Sequence, residues 1–280
     1  MTEAVLKQRI ITAVVLAVVF AATLFAENPV YFAVLGLLMI VVGAWEWSRL
    51  SGINKPLVRG LFTAMIAALC LALAVFSVAD HAVASLATVF YFMCLFWMGM
   101  AYLVLSYPHK NKNYCAANLR LVYGIVILLG AWLGLLYLRF HTQGQLWVLL
   151  SVAVVAAADI AAYFAGRKFG KNKLAIEVSP GKSWEGFWGG LIAAQLLAMI
   201  FYWLASLSDQ QIALWQWLFA ILVLSSVSVL GDLTESMIKR EANCKDSGTL
   251  LPGHGGVLDR IDGLLPVLPL TALFVLVFGW

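Results

Sequence analysis

The sequence predicts an all-α, polytopic integral membrane protein with about nine transmembrane helices. Three observations predict it. The 280 residues are 63% hydrophobic and only 11% charged, whereas a soluble domain carries about 25% charged residues. The apolar residues fall in runs long enough to cross a hydrocarbon core of about 30 Å. The basic residues fall almost wholly in alternate connections, as the positive-inside rule requires of a spanning bundle. A mean hydropathy of +0.94 agrees. Eleven Trp and sixteen Phe suit a bilayer, where aromatic rings anchor at the interfaces.

The apolar runs cover 10–26, 29–48, 58–79, 83–106, 119–138, 145–165, 184–207, 211–231 and 264–280. The first run follows Lys7 and Arg9 and has the look of a secretory leader. No clear A-x-A site follows it and eight more spans do, so it reads as an uncleaved first helix. Lys7 and Arg9 precede helix 1, and Arg49, Lys55 and Arg59 follow helix 2. Lys110, Lys112 and Arg120 follow helix 4, and Arg167, Lys168, Lys171, Lys173 and Lys182 follow helix 6. Lys239, Arg240, Lys245 and Arg260 follow helix 8. Arg139 is the only one of the eighteen Lys and Arg on the other side. The N-terminus is therefore expected in the cytoplasm and the C-terminus outside.

Residues 1–118 read as four N-terminal helices. Residues 119–280 read as a C-terminal catalytic region with two cytoplasmic loops, 166–183 and 232–263, the two parts forming one membrane domain or two packed halves. No separate soluble domain, low-complexity tract or internal repeat stands out. Cys70, Cys94, Cys115 and Cys244 form no CxxC, which argues against a disulfide framework or zinc site. His81, His109 and His141 lie at segment ends and read as interface residues. No nucleic-acid partner is expected.

Carboxylates inside or at the edge of a membrane are costly, so each is a candidate for function. Glu46, in "GAWEWSRL", reads as an interface residue between Trp45 and Trp47. Asp159 lies several residues inside helix 6 and shares a helical face with Tyr163, Gly166 and Gly170. A buried Asp there needs a cation, a basic side chain or a ligand hydroxyl, and a structural salt bridge would serve it equally well. The surrounding alanines allow close helix approach. The Gly181-Lys182-Ser183 triplet is not a Walker A loop, because Ile176 stands where that motif needs its first glycine. Ser179, Lys182 and Ser183 still offer hydrogen bonds and a charge at a helix start, where an anion is welcome. Ser183 could equally be only a helix cap and Lys182 only a topology signal.

The densest constellation is "GDLTESMIKREANCKDSGTLLPGHGGVLDRIDG". Asp232, Ser236 and Lys239 recur at i, i+4 and i+7, placing an acid, a hydroxyl and a cation on one face if helix 8 continues. Arg240, Lys245 and Asp246 follow. Pro252-Gly253-His254-Gly255-Gly256 is expected to break the helix. Asp259 and Asp262 then sit three residues apart, with Arg260 between. Interleaved acids and bases suit a nucleoside triphosphate. Lys and Arg meet its phosphates, carboxylates hold Mg²⁺, and glycines let backbone N–H groups approach phosphate oxygens.

At these residues the chain resembles a known family. Residues 236–262 are similar to the signature of the phosphatidate cytidylyltransferases, also called CDP-diacylglycerol synthases. Its fixed positions are all filled: Ser236, Lys239, Arg240, Lys245, Asp246, Gly248, Pro252, His254, Gly255, Gly256, Asp259, Arg260 and Asp262. "DIAAYFAGRKFG" and "SPGKSWEG" also resemble stretches upstream of that signature. The resemblance implies the reaction CTP + phosphatidate → CDP-diacylglycerol + diphosphate, a step of phospholipid biosynthesis. It also implies an all-helical Mg²⁺-dependent enzyme, often a homodimer, with room for a second cation. On it, Asp232 and Asp259 would hold metal, and Lys239, Arg240 and Lys245 would contact phosphates.

The catalytic candidates are Asp232, Ser236, Lys239, Asp259 and Asp262. The substrate-binding candidates are Asp159, Lys182, Ser183, Arg240, Lys245, Asp246, His254, Gly255, Gly256 and Arg260. The expected location is a bacterial inner membrane, with the site facing the cytoplasm. A CTP- or ATP-dependent lipid kinase of the polyprenol type remains an alternative, and an ion-coupled transporter is a more distant one.

Overall fold

The computed structural model describes residues 3–78, 83–108, 112–206, 212–250 and 255–280. In chain order the helices are α1 (Glu3–Leu24), α2 (Val30–Leu50), α3 (Pro56–Val78), α4 (Val83–Ser106), α5 (Ala117–Phe140), α6 (Gly144–Phe169), α7 (Trp184–Ser206), α8 (Leu214–Glu241), α9 (Leu258–Ile261) and α10 (Leu264–Phe278). Among the described residues eight helical segments are long and apolar enough to cross a membrane, the last running from Leu258 to Phe278. The apolar part of α1, Ile11–Leu24, is shorter. The protein is thus an all-α, multi-pass membrane protein.

Local chemistry accounts for several of the ends. Pro56 opens α3, at a position where the missing N–H costs nothing. The Asn28 side chain accepts the Val30 N–H at 2.9 Å where α2 begins. Helix α8 runs on to Glu241 before Asn243 takes a left-handed conformation (φ 52°). The Cys244 N–H then reaches back to the Lys239 carbonyl at 3.0 Å, closing the last turn. The sequence expectation that residues 232–263 form one loop is therefore corrected. Their first ten residues are helix, and Asn243 ends that helix well before the glycine turn.

A second correction concerns 166–183. Residues 166–169 belong to α6, and Lys173–Ala175 (β1) pairs antiparallel with Ser179–Ser183 (β2) in a small hairpin. It is fastened at its base, where the Trp184 N–H donates to the Asn172 carbonyl at 2.9 Å. The Asn172 side-chain amide in turn donates to Glu185 at 2.9 Å. The strands are too short, and too rich in Pro, Gly and Lys, for alternation to mark them.

Helix α5 lies at the centre, with twelve buried residues, and packs on α2, α3, α6 and α10. Gly134 lets α10 come so close that a Cβ there would stand 2.5 Å from the Pro269 nitrogen. Buried tryptophans stitch helices together by donating indole N–H groups to main-chain carbonyls. Trp47 reaches Arg120 at 2.7 Å, Trp132 reaches Cys70 at 2.8 Å and Trp217 reaches Ala198 at 2.9 Å. Arg139, the lone basic residue expected on the far side, is only 7% exposed. Its guanidinium donates to the carbonyls of Leu24 and Ala26, each at 3.2 Å, and so ties down the end of α1.

Among the described residues the most extensive helix pairing is α6 with α7, where a run of small residues lets the backbones approach. A Cβ on Gly190 would lie 2.6 Å from the Ala158 carbonyl oxygen, and one on Gly186 would lie 2.8 Å from that of Ala162. This backbone-to-backbone seam sets the wall on which the site is built. Gly190→Leu is expected to force the seam apart and lower stability by about 1–3 kcal/mol, the usual cost of overpacking. Thermal unfolding of the detergent-solubilised variant against the parent protein measures it, and an unchanged midpoint would mean the seam is not close-packed.

Candidate active site

The candidate residues gather where α8, α9, the hairpin and the C-terminal end of α2 meet. On α8, the Ser236 hydroxyl donates to Asp232 Oδ1 at 3.1 Å. Asp232 Oδ2 pairs with Lys182 Nζ, brought by β2, at 2.7 Å. One helical turn beyond Ser236, Lys239 Nζ pairs with Asp259 Oδ1 at 2.7 Å and lies 3.5 Å from Glu235 Oε1. Asp232, Ser236 and Lys239 thus share a face, as their spacing predicts.

Asp259 sits on the single turn α9. Its Oδ1 takes Lys239, while Oδ2 accepts the Ser247 N–H at 3.0 Å, the Ser247 hydroxyl at 2.9 Å and the Gly256 N–H at 2.8 Å. Donors to an ionised carboxylate make the stronger kind of hydrogen bond. Gly255 enters this turn at φ +85°, and a Cβ on it would meet Asp259 Oδ2 at 2.8 Å. A glycine is needed there for both reasons. Asp262 accepts the Gly263 N–H at 2.7 Å and faces the carboxyl of Glu235.

Two groups that sequence reasoning did not select hold this region from behind. Glu46 was expected at the membrane interface, and it is instead buried, with 4% exposure. Its Oε1 accepts the Val257 N–H at 3.0 Å. Its Oε2 accepts the Leu258 N–H at 2.8 Å and the Ser247 hydroxyl at 3.2 Å. One turn on, the Arg49 guanidinium donates to the carbonyls of Asp246 and Ser247 at 2.8 and 2.6 Å. Gly248 and Gly256 both press on Glu46 so closely that neither has room for a Cβ. Glu235 was also missed. It is 1% exposed, and neither of its oxygens accepts a hydrogen bond from a described residue.

Beside Asp232 a cleft of about 460 Å³ opens between α6, α7 and the hairpin. Asp159, Arg167, Ser179, Lys182 and Asp232 supply polar lining, and Ala162, Leu174, Phe187 and Val229 supply apolar lining. Asp159 is open to this space rather than buried, and Lys182 stands near it. Ser183 lies at the back of the cleft and acts as the cap of α7, its oxygen accepting the Gly186 N–H at 3.2 Å. Tyr163 and Trp188, more than half exposed, flank the region on α6 and α7.

Not every candidate joins the cluster. Arg240 donates to the Val178 carbonyl at 3.2 Å and so fastens α8 to the hairpin. Lys245, Asp246 and Arg260 have exposed side chains. His254 lies outside the described residues. Burial pushes the Cys244 thiol above its ordinary value, although Arg49 and Lys239 pull the other way. Among the described residues no three His, Cys, Asp or Glu side chains stand together as a ready-made metal site. Aspartates with further ligands still to be supplied are the donor set that suits Mg²⁺, which commonly takes one or two carboxylates plus substrate phosphates.

Acids paired with lysines, beside a cleft of mixed lining in a membrane bundle, suit an integral-membrane enzyme that acts on charged groups. Residues 7–278 match the sequence profile of the Cytidylyltransferase family. Phosphatidate cytidylyltransferases from three bacteria align with nearly the whole chain. The protein of Pseudomonas aeruginosa is 43% identical, over 98% of both chains. That of Haemophilus influenzae is 39% identical, over 96% of this chain and 98% of its own. That of Bacillus subtilis is 32% identical, over 98% and 99%. The chain belongs to the Cytidylyltransferase family and is a membrane-bound nucleotidyltransferase.

Asp259→Asn keeps the size of the side chain and removes its charge. It is expected to cut transferase activity by a factor of about 100 or more, the range seen when one preorganised polar group is lost from a reaction centre. Activity and gel-filtration behaviour of the same preparation check it, and near-normal turnover would remove Asp259 from the site.

Proposed function

We propose that this protein transfers the cytidylyl group of CTP to phosphatidate, forming CDP-diacylglycerol and releasing diphosphate. The observation that carries this reading is the meeting of the lysine-balanced acids with a cleft lined partly by apolar side chains. The first suits a triphosphate and the second suits the neck of a lipid. The names borne by the bacterial relatives support it.

A phosphate oxygen of phosphatidate would attack the α-phosphorus of CTP. The new P–O bond forms as the bond to the β-phosphate's bridging oxygen breaks, and diphosphate departs with that electron pair. A phosphate monoester has its second pKa near 6, so the attacking group is mostly dianionic at neutral pH and needs no strong protein base. The difficulty is to bring two anions together. Lys182 and Lys239 each give one N–H to an aspartate in this structure, and an ammonium has three. Each therefore has donors left for phosphate oxygens without abandoning its carboxylate. Arg240, held by the hairpin, and the exposed Lys245 add positive charge nearby.

Asp232 and Asp259 would hold Mg²⁺, alone or with a second cation. Such ions neutralise phosphate charge and stabilise a leaving diphosphate. Held groups that fix the line of attack contribute by positioning rather than by covalent chemistry. The bacterial relatives support an inner membrane location, and the distribution of Lys and Arg supports a site on the cytoplasmic side, where CTP is found.

Two experiments test this. Purified protein is given phosphatidate, Mg²⁺ and CTP labelled at either the α or the γ phosphate. Label from the α position is expected in the lipid, whereas γ label in an alcohol lipid would replace this reading with a kinase. Separately, a tag placed after Trp280 is expected to be reachable only from outside the cytoplasm, and its protection there would overturn the orientation.

A further inference from the structure

We infer that Glu46 is a positioning residue for the reaction, setting the place of Asp259 through Ser247 and the main-chain amides of Val257 and Leu258. The inference rests on the proposed reading of Asp259 as a metal-holding carboxylate, and it adds a residue that lies outside the signature, about 200 positions earlier in the chain.

A carboxylate that is 4% exposed must find donors, and each of those Glu46 finds belongs to the segment that carries Asp259. The amides of Val257 and Leu258 lie at and just before the start of α9, so their position fixes the turn on which Asp259 is the second residue. The Ser247 hydroxyl makes the link more direct. It has one hydrogen and two carboxylate oxygens in reach, Glu46 Oε2 at 3.2 Å and Asp259 Oδ2 at 2.9 Å. The charge on Glu46 therefore competes with the charge on Asp259 for the same proton donor.

Packing leaves this arrangement little slack. Gly248 on one strand of the loop and Gly256 on the other close on Glu46 with no room for a side chain. Arg49, one turn along α2, holds the carbonyls of Asp246 and Ser247. The C-terminal end of α2 thus grips both arms of the loop at once, accepting from both and donating to one. Partners that orient a metal-holding group from behind typically matter by 10–100-fold in metal affinity or activity.

Glu46→Gln tests the inference, since it keeps the side-chain length and one acceptor oxygen but removes the charge. For folded protein the expected result is a fall in kcat of about 10–100-fold with little change in KM for phosphatidate. Binding of Mn²⁺ in the absence of substrates, followed by electron paramagnetic resonance, is expected to weaken by a similar factor. Ser247→Ala should show the same pattern, and the double variant should be no worse than the poorer single one, because both act on one carboxylate. If Glu46→Gln does not fold, Glu46→Asp decides, as it shortens the reach to Ser247, Val257 and Leu258 while leaving the direct donors of Asp259 in place, and the same losses are expected. Wild-type kcat and Mn²⁺ affinity in the folded variant, or losses that simply add in the double variant, would overturn the inference. The Mn²⁺ measurement does not depend on which substrates the parent protein uses. Failure of the cytidylyl-transfer reading is therefore seen in the parent, and failure of the Glu46 inference in the variants.

Discussion

An anion withdrawn from water must be given donors, and at Asp259 those donors come from three separate parts of the chain. Lys239 arrives on α8, Ser247 on the loop that follows it, and Gly256 on the turn before α9. Placing one carboxylate thus requires α8 to end where it does, the chain to return, and Gly255 and Gly256 to pass close beneath it. Breaking a buried ion pair by removing one partner costs about 3–5 kcal/mol. The Lys239–Asp259 contact therefore binds local folding to the chemistry of the site. The same logic operates at the next pair, where Lys182 from the hairpin meets Asp232. That contact explains why a membrane bundle keeps a short β-hairpin at this end. The hairpin is fastened to α7 by Asn172 and Glu185 and to α8 by Arg240, and so presents a lysine from a fixed base.

The membrane spans were legible because their physics is local. A run of apolar residues declares its own helix, and the expected starts at 83, 184 and 264 coincide with those of α4, α7 and α10. That a neighbouring helix would come close to helix 6 was legible for the same reason, since alanines repeat along one short segment, but its identity as α7 was not. The face shared by Asp232, Ser236 and Lys239 followed from helical spacing once α8 was allowed to continue. Its stop was misplaced because the glycine turn is a louder signal than Asn243, which ends the helix by accepting a left-handed conformation that few other side chains tolerate.

Glu46 was not legible by such means. Its partners are 201 to 212 residues away, and nothing in "GAWEWSRL" distinguishes a carboxylate that caps a distant turn from one that sits among lipid headgroups. One clue was present. Gly248 and Gly256 occupy fixed positions in the signature, and a glycine that must stay small implies that something presses on it. The structure identifies that neighbour as Glu46. Glu235 escaped because its neighbours on α8 carry the recognisable pattern and it falls between them.

The reach of α2 into the loop also bears on modularity. The signature of 27 residues reads as a cassette, complete in itself and recognisable in isolation. Physically it is one half of a joint whose other half is Glu46 and Arg49. Grafted onto another membrane bundle, it would leave the N–H groups of Val257 and Leu258 and the carbonyls of Asp246 and Ser247 in search of new partners. A chimera that exchanges the first four helices would therefore need to carry this glutamate and arginine, one helical turn apart, at the C-terminal end of its own second helix.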